Sequence, residues 1–154
     1  MTTMTDEEAF ALGVRAVNAR LRPSIGMRAI LRGTTQDGAT GWDCAWTVIR
    51  IDRGGEIKVH NGGYYKWPVL GSEFAPDLRD PGTKGHAVAQ LRERTGDKEL
   101  STRCDIGEDE NGARWVDWYV GSDEHGGLLT QAPRPCLTEE EAIVAAFEAT
   151  KETP

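Results

Sequence analysis

The sequence predicts an α+β protein: an N-terminal helix with a small SH3-like β-barrel or curled sheet, followed by an αβββα antiparallel sandwich. Three observations carry that expectation. A capping box opens the chain, period-two alternation broken by glycine turns fills residues 27–70, and a helix, hairpin and closing helix follow.

Thr5 followed by Glu8 is the capping box, and Phe10, Val14, Val17 and Leu21 recur at helical spacing behind it. A helix is expected over residues 6–21, stopped by Pro23 and Gly26. From there Met27, Ala29 and Leu31 alternate with Arg28, Ile30 and Arg32, the pattern of a strand with one protected face. Residues 33–41 read as a polar, glycine-rich loop. Residues 45–52 give the strongest β signal, and Arg53-Gly54-Gly55 turns the chain into Ile57 and Val59. Asn61-Gly62-Gly63 supplies another turn, after which Tyr64, Tyr65, Trp67, Val69 and Leu70 form a fourth strand that Pro68 places at a sheet edge.

Residues 72–79, with Pro76 at the centre, read as a linker, which puts the domain boundary at 75/76. Asp80-Pro81 starts a helix with Ala87, Val88 and Leu91 as its apolar stripe and Gly96 at its end. Leu100, Thr102, Cys104 and Ile106 alternate into a strand, Glu108 to Asn111 form a hairpin loop, and Ala113 to Val120 return. Leu128 and Leu129 suggest a short third strand. Thr138 and Glu141 cap a last helix whose Ile143, Val144 and Phe147 face inward, with three glutamates at the positive end of its dipole.

Composition narrows the function classes. The chain has 154 residues, 38% of them apolar, and 25 acidic against 18 basic side chains give a net charge of −7. Such a balance excludes a protein that coats nucleic acid or anionic membrane over its whole surface, but leaves room for a localised basic patch. No run approaches the roughly 20 apolar residues that span a bilayer, and the start lacks the regions of a signal peptide. A cytoplasmic protein without a membrane partner is expected. Cys44, Cys104 and Cys136 are far apart and odd in number, as suits buried thiols in a reducing compartment.

The second half, from about Pro76 to Thr150, resembles a family of small bacteriophage and prophage accessory proteins with a helix, an antiparallel sheet and a closing helix, a phage sandwich-like domain. The motifs are Pro-Asp-Leu-Arg-Asp-Pro-Gly-Thr leading into a helix that ends Leu-Arg-Glu-Arg, the Trp-Val-Asp-Trp-Tyr-Val strand, and Leu-Thr-Glu-Glu-Glu-Ala-Ile-Val-Ala-Ala. The resemblance implies a phage origin and no catalytic residues to carry over.

Few residues suggest chemistry. His60, His86, His125 and the cysteines lack the short spacings of metal motifs, so no metal and no cofactor are expected. Cys136 precedes the last helix and would act as a nucleophile if a nearby histidine or the helix N-terminus lowered its pKa, and an enzyme would need Cys136, His86 or His125 to converge with carboxylates; a small apolar residue beside Leu137 is the plainer reading. Cys104 is expected in the core. Gly82-Thr83-Lys84-Gly85 opens a helix, where free N–H groups can hold an anion, but its spacing is not that of a phosphate-binding P-loop. Asp105 with Glu108-Asp109-Glu110 lacks calcium-loop spacing and reads as a solvated hairpin tip.

Two surfaces are candidates for binding. Alternation sends Trp115, Asp117 and Tyr119 to one side of their strand, beside Ser101, Arg103 and Asp105, and the stripe suits either a protein partner or packing against the first half. In the first half Tyr64, Tyr65, Trp67, Trp42 and Trp46 are dense; Tyr65 and Trp67 share one side of their strand, and at least one aromatic pair is expected to be buried. Residues 1–72 carry a net +2 and residues 73–154 a net −9. Arg28 and Arg32 share a strand face near Arg20 and Arg22, a patch that suits phosphates. The resulting expectation is a non-catalytic phage accessory protein that binds a host protein, with inhibition of a host defence system as one version, through Trp115, Asp117, Tyr119, Arg103 and Asp105. The alternatives are a nucleic-acid-binding module using Arg28, Arg32 and Arg22, and a small enzyme.

Overall fold

A computed structural model describes residues 3–123 and 138–152, and the chain divides into two units, Met1–His86 and Ala87–Pro154. Helix α1 (Asp6–Asn18) starts as expected: the Thr5 hydroxyl oxygen accepts from the Glu8 N–H at 3.1 Å, and Asp6, Glu7 and Glu8 sit at the positive end of its dipole. It stops three residues short of the expected end. Arg20 takes a left-handed φ of 76°, and the Leu21 N–H reaches back to the Ala16 carbonyl while the Arg20 N–H bonds that of Val17. This closing motif usually places glycine where Arg20 stands, so the sequence signal was hidden. Leu21 is buried all the same, as the apolar residue after the cap.

Strands β1 (Arg28–Thr34), β2 (Thr40–Ile51), β3 (Ile57–Asn61), β4 (Tyr64–Lys66) and β5 (Phe74–Pro76) make one antiparallel sheet in the order β4-β3-β2-β1-β5. The SH3-like barrel is thus not formed: the sheet is open. Its two edges, β4 and β5, are three residues each and do not pair with one another. β5 is also a correction to the expected linker, since Phe74, Ala75, Pro76, Asp77 and Leu78 are all buried. Pro76 is tolerated because an edge strand has a side that donates no ladder hydrogen bond.

β1 buries three successive residues, Ala29, Ile30 and Leu31, so both its faces are covered rather than one. Ile30 packs with Ala9, Phe10 and Ala75, while register places Trp46 opposite Ala29 and Phe74 opposite Leu31 on the other face. Gly13 lets α1 approach β5, for a Cβ there would collide with the Pro76 carbonyl oxygen and the Ala75 Cβ.

Arg79 ties this unit together. Its guanidinium donates to both oxygens of buried Asp77 at 2.9 and 3.0 Å, to Asp6 at 2.9 Å, to the Met4 carbonyl at 3.4 Å and to the Cys44 sulfur at 3.3 Å. The Asp77 carboxylate, then Asp6, hold Arg79 firmly in its charged form. Arg79 holds Asp6 in turn below the ordinary aspartate value.

Helix α2 (Pro81–Thr95) has Asp80 as its N-cap, whose carboxylate accepts from the Thr83 N–H at 2.9 Å, and Gly96 with φ 75° after its end. In the second unit β6 (Ser101–Glu108) and β7 (Arg114–Gly121) form a hairpin in unbroken register. Helix α3 (Glu139–Thr150) is capped by Thr138 and buries Ala142 to Phe147 without a break. The Thr102 hydroxyl donates to Glu139 at 2.8 Å, fixing the start of α3 against β6. Arg94 lies 4.9 Å over the Phe147 ring and donates to Thr150 at 3.2 Å, a cation at the negative end of the α3 dipole. The expected third strand at Leu128 and Leu129 lies outside the described residues.

Cys104 is exposed, against the expectation of a core position, and Ile106 beside it is 72% exposed. Thr102 and Val120 lie where α3 packs, whereas Cys104 and Ile106 sit further toward the hairpin turn, past the covered stretch. Among the described residues no helix is long and apolar enough to cross a membrane.

Two outcomes test these packing arguments. Gly13→Ala is expected to lower unfolding free energy by about 1–3 kcal/mol through overpacking against β5, read from urea midpoints. Arg79→Met strands the buried Asp77 carboxylate, an expected loss of about 3 kcal/mol or more. The Asp6 contribution has an acid signature: its folded pKa lies below 3.8, so its contribution is full above that value and fades as pH falls through the depressed one. The stability gap between wild type and Asp6→Asn is therefore expected to be present at neutral pH and to close on acidification.

Candidate functional site

The open sheet carries a continuous line of side chains across four strands. Register sets Arg28 of β1 opposite Thr47 of β2, Thr47 opposite His60 of β3, and His60 opposite Tyr65 of β4. Directly paired residues of antiparallel strands share a face, so these four form one row. Alternation adds Lys58 beside His60 and Trp67 beside Tyr65. The Lys58 ammonium lies 4.4 Å from the Tyr65 ring centroid and 5.7 Å from that of Trp67, and the His60 ring stacks on Tyr65 at 6.1 Å with planes 27° apart. Ile30, on the Arg28 side of β1, is covered by α1; Tyr65 and Trp67, 58% and 46% exposed, are not.

The expected burial of an aromatic pair in this stretch is not found, since Tyr64, Tyr65 and Trp67 are all exposed. An edge strand has a neighbour on one side only, and the residue it turns to the other face is Lys66, whose ammonium stands 5.1 Å over the buried Trp46 ring. The open seam of the sheet is a cavity of about 380 Å³ between Leu31, Arg32 and Glu73 on one side and Tyr65 to Pro68 on the other. Glu73 is engaged there, accepting from the Val69 N–H at 2.9 Å. Arg32 and Lys66 supply the positive charge of this cavity.

The candidate residues divide accordingly. Arg28 belongs to the row and Arg32 to the seam, on one face of β1 with Ile30 between them. Arg22 lies in the connection before β1, outside the row. In the second unit Arg103 pairs with Tyr119, Asp105 with Asp117 and Gly107 with Trp115, so the five expected partner-binding residues do share one hairpin face. They are unequally presented: Asp117 is buried at 7% exposure, Arg103 is in an ion pair with Asp123 at 2.8 Å, and the Tyr119 hydroxyl donates to Asp105 at 3.5 Å. Trp115 remains 41% exposed, its ring lying over Gly107 where a Cβ would collide with it.

Sequence reasoning missed Lys58 and His60. The signal available was their alternation within β3 opposite Tyr65 and Trp67, but it becomes a site only when four strands are in register.

The other chemical candidates resolve differently. The start of α2 is already occupied, because the Asp80 carboxylate takes the Thr83 N–H and the Thr83 hydroxyl, whose oxygen accepts from the Arg28 N–H at 2.9 Å. Burial pushes the Cys44 thiol above its ordinary value, which disfavours its thiolate form. Cys136 and His125 lie outside the described residues, and the His86 ring borders Gly26. Among the described residues no group of three or more histidine, cysteine or carboxylate side chains is placed to hold a metal ion. No family model, no curated protein and no solved structure matches the chain.

The two described thiols are expected to differ in reactivity. Under a limiting maleimide pulse at pH 7, peptide mapping should find Cys104 modified well ahead of Cys44, whose burial and raised pKa both slow it; equal labelling would contradict this placement.

Proposed function

We propose that this chain is a non-catalytic binding protein whose first unit takes nucleic acid on the open half of its sheet. The observation that carries the reading is the row of Arg28, His60 and Tyr65 with Lys58 set over Tyr65 and Trp67: cations and flat rings interleaved on one surface, with no carboxylate in the row. Cations answer phosphates, and exposed rings answer bases. The net charge of −7 fits a local site rather than a coating protein. A second reading, a host-protein partner for the second unit, is favoured by the exposed Trp115 on the same hairpin face as Tyr119 and Asp105.

Titration of a fluorescent oligonucleotide by anisotropy tests the first reading. Binding is expected at low salt, with log K falling against log salt at a slope of about −1.4 from the two cations of the row, Arg28 and Lys58. Lys58→Gln and Arg28→Gln should each make that slope shallower by about 0.7. Absence of binding at about 20 mM salt would sink the reading, since counterion release makes low salt the most favourable condition.

A further inference from the structure

Which form of nucleic acid the face accepts can be argued from the rings and the seam together. Tyr65 stands on β4 and Trp67 one residue past its end, both rings within reach of the Lys58 ammonium, and their faces are the binding feature. Duplex bases have their faces stacked inside the helix and offer only edges and phosphates outward, whereas an unpaired strand can lay its bases on protein rings. The row is also short. Arg28 and Tyr65 are three strand spacings apart, about 14 Å, which matches a few nucleotides.

The seam extends the same surface around the β4 edge. Tyr65 and Trp67 line the 380 Å³ cavity as well as the row, so a strand stacked on them has Arg32 and Lys66 within the space it next enters. Glu73, the carboxylate on that cavity, already accepts from a backbone N–H. Resting on the nucleic-acid reading above, we propose that the site is specific for single strands: bases stack on Tyr65 and Trp67, displacing the Lys58 ammonium, and the backbone turns into the seam so that a phosphate meets Arg32 and Lys66.

The protein is titrated with a labelled oligothymidine of about ten nucleotides, with a duplex of equal length, and with polyglutamate as an acidic polypeptide, since single-strand sites span on the order of 4–16 nucleotides. Oligothymidine is expected to bind at least about tenfold more tightly than the duplex, with Tyr65→Ala and Trp67→Ala each weakening it by about tenfold and leaving the duplex unchanged. Lys66→Gln and Arg32→Gln should each weaken it severalfold and make its salt slope shallower by about 0.7. These side chains are exposed, and unaltered thermal midpoints certify that each variant is folded. Equal binding of duplex and single strand, insensitive to the rings, would overturn the single-strand proposal and leave the nucleic-acid reading standing. Polyglutamate binding as tightly as oligothymidine would overturn both in favour of an acidic peptide ligand. No binding of any probe at low salt would overturn the nucleic-acid reading itself.

Discussion

The Arg79 guanidinium is the constraint from which the first unit is arranged. It joins the beginning of α1, through Asp6 and the Met4 carbonyl, to Cys44 on β2 and to Asp77 just after β5. Asp77 is itself bound into the sheet, its N–H donating to the Arg28 carbonyl at 2.9 Å. One side chain therefore sets where α1 lies, and Gly13 sets how closely. Buried, hydrogen-bonded charge of this kind adds less to stability than its bond count suggests, because desolvation offsets much of the attraction. Its structural effect is positional. α1 covers the sheet around Ile30, and the surface around His60 and Tyr65 stays open.

The same logic explains why the sheet stays unclosed and why that matters. β4 and β5 each offer three residues, and the chain between them is occupied with its own turn, in which Glu73 and Phe74 N–H groups both bond the Val69 carbonyl. A closed barrel would have paired these edges and filled the seam with ladder hydrogen bonds. Left open, the edges hold apart a cavity with Leu31 at its floor and Arg32 and Lys66 at its margin. In the second unit the α3 side of the hairpin is packed where it is described. There Val120, Ile143 and Phe147 are fully buried, and the polar links from Thr102 to Glu139 and from Arg94 to Thr150 tie both ends of α3 down.

Local signals in the sequence translated directly into structure, and signals that depend on distant pairing did not. Thr5 with Glu8, Thr138 with Glu141 and Asp80 before Pro81 marked helix starts because caps are decided within four residues. The turn at Gly112 likewise marked the β6–β7 hairpin. Arg20 defeated the end of α1 because a left-handed arginine carries no sequence mark. Phe74 defeated the linker reading because its burial depends on β1, more than forty positions earlier. Cys104 looked apolar by alternation, yet whether an alternating face is covered depends on where α3 ends up. The row from Arg28 to Tyr65 was the least legible feature. Arg28, His60 and Tyr65 meet only through three separate strand pairings, and β2 carries bulges opposite Ala29–Leu31 and within Val48–Arg50 that no local pattern announces.

An exposed pair of rings at an edge strand and just past its end is ordinarily a liability, since it invites a second chain to add to the sheet. Here Lys58 covers both rings, and Lys66 lies over Trp46 on the opposite face. Charge along an edge is a known defence against such pairing, and a cation over an exposed ring contributes about 0.5–1 kcal/mol, enough to bias the side chain without fixing it. Stacking of a nucleobase on an aromatic side chain is stronger, about 1–3 kcal/mol, so a base can replace the ammonium on Tyr65 or Trp67. On the proposed reading Lys58 would not lose its electrostatic partner in that exchange, because a strand that brings the base also brings phosphates within reach of its flexible stem. On the proposed nucleic-acid reading, the contact that shields the rings in the free protein would become a phosphate contact in the complex, and the protection of the edge and the affinity of the site would draw on the same side chain.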